Sequence, residues 1–208
     1  YWKHYFKFKE KFMKLKERLN NLIKYIKTDK FLNNKGLANE VPFYIFDYDP
    51  SEEIYVRDFI KDTFTKKFTD SKDINLKVVD LFELIMEAMK VEDIEEGVFD
   101  KEERKGSVKN LEFLKSSIED YTHKAFFKKI DSELIGNEEK MKTIICITGV
   151  GSAYPVIQPK ELLGKLEDIF NYTKIILFLP GNYDKQYITT LNKFKIDHYR
   201  AMKLTGEL

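Results

Sequence analysis

Three short stretches of this chain hold the residue types from which a site could be built. Asp47, Tyr48 and Asp49 form the first; Thr148-Gly149-Val150-Gly151-Ser152-Ala153-Tyr154-Pro155 the second; Pro180-Gly181-Asn182-Tyr183-Asp184 the third. The carboxylates Asp47, Asp49 and Asp184 are oxygen ligands of the kind a hard cation takes. Asp49, however, is also placed to cap a helix, and no histidine stands near. Gly149 and Gly151 would let backbone approach a phosphate closely. A Walker A loop would also need a Lys followed by Ser or Thr, which this loop lacks, and a G-x-G-x-x-G fingerprint is broken by Tyr154 and Pro155. Tyr48, Tyr154 and Tyr183 could offer an aromatic surface to a partner or to single-stranded nucleic acid, or simply pack the sheet edge. His4, His123 and His198 are scattered and yield no Ser-His-Asp order, and Cys146 sits in the middle of an apolar run as a small core residue. No catalytic residue, metal or cofactor is therefore assigned. A nucleotide- or metal-binding enzyme using these three loops is kept as the alternative.

The elements that must position these loops are legible in the apolar pattern. Residues 42–48 form a short aromatic strand between two prolines. Asp49, Pro50 and Glu52 read as an N-cap, a first helical position and a capping box, with the helix running through Tyr55, Val56, Phe59, Ile60 and toward Phe64. Residues 74–79 form a second strand and 81–89 a helix. A longer helix is expected over 108–129, and a short one near Ser132. Residues 143–148 are apolar without alternation, the pattern of a strand covered on both faces, as in a parallel sheet. A helix over 159–170 follows, with helix formation after the glycine turn resuming only there. Residues 174–179 form a fourth strand stopped by Pro180-Gly181; a short helix over 188–194 and a last strand over 198–204 close the chain. Strand and helix alternate, so the expectation is an α/β fold: a Rossmann-like, open, mainly parallel sheet of about five strands flanked by helices. In such a sheet ligands meet the carboxyl ends of the strands, where all three loops belong. Asn39 and Glu40, just ahead of the first strand, either brace it or face a ligand.

Charge divides the 208 residues unevenly. Residues 1–35 carry eleven Lys/Arg against three Asp/Glu, a net of +8, although the whole chain is only +1. That division suggests a basic amphipathic helical segment, 1–35, packing on an α/β domain, 36–208. Phe8, Phe12, Leu15, Leu19, Leu22 and Ile26 recur at steps of three and four, the apolar stripe of a helix, its first region ending at Lys35-Gly36. Lys14, Lys16, Lys24 and Lys27 lie among the polar positions and are the candidates for nucleic-acid contact, which would be salt-sensitive and blind to sequence. Residues 92–103 are strongly acidic and read as an exposed connector. Hydrophobic residues make up 43% of the chain, enough for a core without staples, and one cysteine excludes an internal disulfide. No apolar run approaches a membrane span and no signal peptide is visible, so a cytoplasmic protein is expected.

At these loops the chain resembles a known family. Gly36-Leu37-Ala38-Asn39-Glu40-Val41-Pro42-Phe43-Tyr44-Ile45-Phe46-Asp47-Tyr48-Asp49-Pro50 is similar to the opening motif of the BrxB family of BREX (bacteriophage exclusion) defence systems. The likeness continues in order at Val56-Arg57, Asp80-Leu81-Phe82-Glu83-Leu84, Thr148 to Pro155, Phe178 to Asp184 and Tyr199-Arg200-Ala201. The resemblance implies an interaction subunit, without a reaction of its own, working beside a DNA methyltransferase, an ATPase and an alkaline-phosphatase-like PglZ protein. The implied partners are other BREX proteins, a PglZ-like protein first among them, with DNA reached through the complex, no membrane, and a homodimer as a further option. The candidate partner- or ligand-binding residues are then Asn39, Glu40, Asp47, Tyr48, Thr148, Gly149, Gly151, Tyr154, Gly181, Tyr183 and Asp184.

Overall fold

The computed structural model describes residues 2–33, 43–91, 93, 96–98, 112–117, 124–125, 128, 142–158, 162, 164, 173–184, 187–191, 194–197 and 201–204. Asn39, Glu40, His123, His198, most of the acidic connector, the segment around Ser132 and most of 159–170 lie outside the described residues. Described positions within 112–128 and at 162 and 164 are helical, in line with the two helices expected there.

Five strands build the parallel sheet: β1 (Phe43–Tyr48), β2 (Ile74–Asp80), β3 (Lys142–Thr148), β4 (Lys174–Tyr183) and β7 (Met202–Lys203). Their order is β2-β3-β4-β1-β7, and every neighbouring pair on that path is parallel. The register sets Asp80 beside Thr148 and Tyr48 beside Pro180, so the carboxyl ends of β1, β2, β3 and β4 share one edge.

The strands alternate between two cores with period two. Phe43, Ile45, Ile145, Ile147, Ile175, Leu177 and Leu179 point to one face. They pack there with α4 (Leu81–Val91) and the helical turn α5 (Val150–Ala153). Tyr44, Phe46, Ile144, Cys146, Ile176 and Phe178 point to the other. That face is covered by α1 (Trp2–Ile26), α2 (Asp29–Asn33) and α3 (Glu53–Phe59). Leu15, Leu19, Leu22 and Ile26 of the predicted stripe are all buried in this second core. At about 1.5–3 kcal/mol for each buried aliphatic side chain, the stripe anchors α1 to the sheet. Rings of Phe46 and Phe178 meet at 5.5 Å, and Phe64 meets Phe178 edge-on at 5.9 Å.

Five expectations are corrected. The helix expected to run toward residue 35 ends at Ile26, and Thr28 starts α2, its hydroxyl accepting the Phe31 N–H at 3.2 Å. Helical backbone resumes at Val150, directly after Gly149, rather than near Pro159. β4 is not stopped by Pro180-Gly181; it continues to Tyr183 and pairs antiparallel with β5 (Tyr187–Thr190). A Cβ on residue 181 would fall well inside contact with the Thr189 carbonyl oxygen, so Gly181 is what admits the close strand pairing. The helix expected over 188–194 is instead β5 followed by β6 (Phe194–Asp197), paired antiparallel; Ile188-Thr189-Thr190 is a β-branched run that favours strand. Of the last strand, expected over 198–204, the described residues 201–204 hold only β7 (Met202–Lys203), with Ala201 and Leu204 outside it.

Candidate functional site

The three sequence-selected loops meet at the carboxyl edge of the sheet, because the strands that carry them are parallel neighbours. What those loops do with their polar groups is mostly internal. Asp47, the last but one residue of β1, is 6% exposed. Its Oδ1 lies 3.0 Å from Nη2 of Arg18, which also donates to the Asp47 carbonyl oxygen at 2.8 Å. Its Oδ2 accepts the Tyr183 N–H at 3.0 Å and pairs with the Lys203 ammonium. Lys203 also donates to the Tyr183 carbonyl oxygen at 2.7 Å and to Asn182 Oδ1 at 3.3 Å, and the Tyr183 phenol donates to the Ala201 carbonyl oxygen at 2.7 Å. A buried carboxylate needs such compensation, and here α1, β4 and β7 supply it.

Asp80 organises the other half of the edge. Its Oδ1 accepts the N–H groups of Phe82 and Glu83 at 2.9 and 3.1 Å, capping α4, and its Oδ2 accepts the Thr148 hydroxyl proton at 2.8 Å. Gly149 turns immediately behind it at φ +71°, and a Cβ there would lie 2.5 Å from Oδ1 of Asp80. Gly151 sits in α5 against Pro180. Tyr154 ends that turn half-buried, with a cis peptide bond to Pro155. Asp49 caps the Pro50–Glu52 turn through Ser51, and the exposed Asp184 accepts the Tyr187 N–H at 2.7 Å to close the β4–β5 hairpin. Tyr48 and Tyr183 are buried, so neither ring lies on an exposed aromatic platform.

Tyr48 donates its phenolic proton to Oε2 of Glu53 at 2.6 Å. Burial pushes the phenol well above its usual pKa, and the Glu53 carboxylate adds to the rise. Burial also lifts the Glu53 carboxyl. The Tyr48 hydrogen bond and the Arg57 guanidinium hold that rise back, and the neighbouring Asp80 carboxylate adds to it. Two large apolar side chains remain outside this network at the same edge: Ile54, 67% exposed on the first turn of α3, and Phe82, 43% exposed on the first turn of α4.

The lysine candidates lie elsewhere, three on the outer side of α1 and Lys27 just past its end. Lys14, Lys16, Lys24 and Lys27 are exposed; Lys14 pairs with Glu10 at 2.9 Å. Lys27 reaches the Lys67 carbonyl oxygen at 3.4 Å beside a cleft of about 430 Å³, next to Ile74 at the amino end of β2.

Sequence reasoning missed Arg18, Glu53, Asp80 and Lys203. Asp80-Leu81-Phe82-Glu83 carries the acid-then-Glu spacing of a capped helix start, which was a usable signal. Arg18 is the one arginine among the lysines of α1, beside the apolar stripe. For Lys203 no local signal exists. Among the described residues no group of three or more His, Cys, Asp or Glu is placed to hold a metal ion, and no helix is long and apolar enough to cross a membrane.

Comparison with known proteins adds the family. A BREX protein BrxB from Bacillus cereus is 30% identical over 92% of this chain and 97% of its own length. Another from Escherichia coli is 28% identical over 93% and 92%. No solved structure matches the chain. The sequence profile described as BREX protein BrxB matches residues 77–204, from β2 and the Asp80 cap to the strand that carries Lys203. On this match, and on the nearly full-length likeness to the B. cereus protein, the chain belongs to the BrxB family.

Proposed function

We propose that the chain is a non-enzymatic assembly subunit of a BREX anti-phage defence complex, acting in the cytoplasm and docking on a PglZ-like partner through the carboxyl edge of its sheet. Family membership supports the place in BREX. The observation that carries the docking role is the internal closure of the edge. Asp47, Asp80, Asp49 and Asp184 each accept hydrogen bonds from this chain's own groups, while Ile54 and Phe82 are exposed on the first turns of the helices that follow β1 and β2. Carboxylates held in this way brace loops, and exposed apolar side chains beside a braced framework suit a protein interface. The test is to mix the purified chain with the PglZ-like protein of the same system and determine the mass of the product. A stable complex at low salt is expected; two separate species at micromolar concentration would overturn the reading.

A second reading has its own observation. The apolar stripe of α1 is buried, which turns Lys14, Lys16, Lys24 and Lys27 outward. Direct contact with DNA phosphates through this face predicts a gel shift that weakens steeply with salt and disappears when the four lysines become Glu.

A further inference from the structure

We draw no further inference here: the strongest candidate, the open cleft of about 430 Å³ at the amino edge of the sheet lined by Lys27, Lys66, Lys67, Asp70, Ser71 and Asp73, carries none because its lysines are exposed beside the carboxyl ends of α1 and of the Thr65–Lys67 turn, where helix dipoles favour cations, two aspartates offset their charge, and nothing in the structure shows what would occupy it.

Discussion

Arg18 and Asp47 join the first helix to the end of the first strand: Nη2 of the arginine lies 3.0 Å from Oδ1 of the aspartate and 2.8 Å from its carbonyl oxygen. The guanidinium also lies over the Phe46 ring, 4.7 Å from its centroid. Both hydrogen bonds leave from one nitrogen, so what the guanidinium adds over an ammonium is its flat, weakly hydrated face against the ring. Arg18→Met should therefore cost about 1.5–3 kcal/mol in urea unfolding, because Asp47 stays buried with one cation fewer. Arg18→Lys should recover only part of the loss. Wild-type stability in Arg18→Met would show that the pair is incidental.

The close approach of Gly149 and Asp80 predicts a coupled pair of substitutions. Gly149→Ala forces a side chain into a left-handed backbone position and against the Asp80 carboxylate. The backbone alone costs about 1–2 kcal/mol, and displacing the carboxylate also weakens the α4 cap. Asp80→Ala loses the cap and the Thr148 bond but makes room for a methyl group. The double variant should accordingly be less destabilised than the sum of the singles by about 0.5 kcal/mol or more in a denaturation cycle. Strict additivity would mean that the two residues do not press on each other.

Glu53 should leave a mark on the pH dependence of stability. Its carboxyl titrates higher in the folded chain than the usual 4.5, chiefly through burial. As pH rises above that value, the unfolded chain releases this proton before the folded one does. The contribution of Glu53 is thus complete at low pH and is lost as pH climbs through its folded pKa. Glu53→Gln keeps an acceptor for the Tyr48 hydroxyl and removes the titration. The stability of the variant relative to wild type should increase from pH 4 toward pH 7, measured by urea unfolding at each pH. A pH-independent difference would remove Glu53 as the source.

Cys146 is wholly buried in β3, and burial pushes its thiol far above the range in which thiolate exists at neutral pH. A thiol-specific chromogenic reagent should leave the native protein unlabelled over an hour at pH 8 and should label one thiol per chain in denaturant. Fast labelling of the native protein would contradict this burial.

Much of the sheet is readable from local pattern. The unbroken apolar runs in β3 and β4 predict strands covered on both sides. Burial of Ile144 through Ile147 and Ile175 through Leu179 follows from α4 and α5 on one face and α1 to α3 on the other. The stripe at Leu15, Leu19, Leu22 and Ile26 predicts α1 for the same reason. Misreadings occur where a turn signal has a different cause. Pro180 and Gly181 look like a strand end, but Gly181 is there to admit the Thr189 carbonyl, a partner eight residues further along. Thr148-Gly149 lacks the residues of a phosphate loop and reads as a tight turn; what the sequence leaves out is that its tightness serves an aspartate at the end of the neighbouring strand.

The order of elements as far as β4, the two-faced strands and the collection of three loops on one edge were set by residue type and spacing, because burial periodicity and the parallel crossover rule act within short windows of chain. The wiring of that edge was decided only by the fold. Asp47 meets Arg18 across 29 residues and Tyr183 across 136, and Thr148 meets Asp80 across 68. Each contact depends on which strands lie side by side, in the order β2-β3-β4-β1-β7. Hydrogen bonds between positions so far apart leave no period in the sequence, so whether a carboxylate at a strand end is open to a ligand or held by its own chain is a property of the assembled sheet.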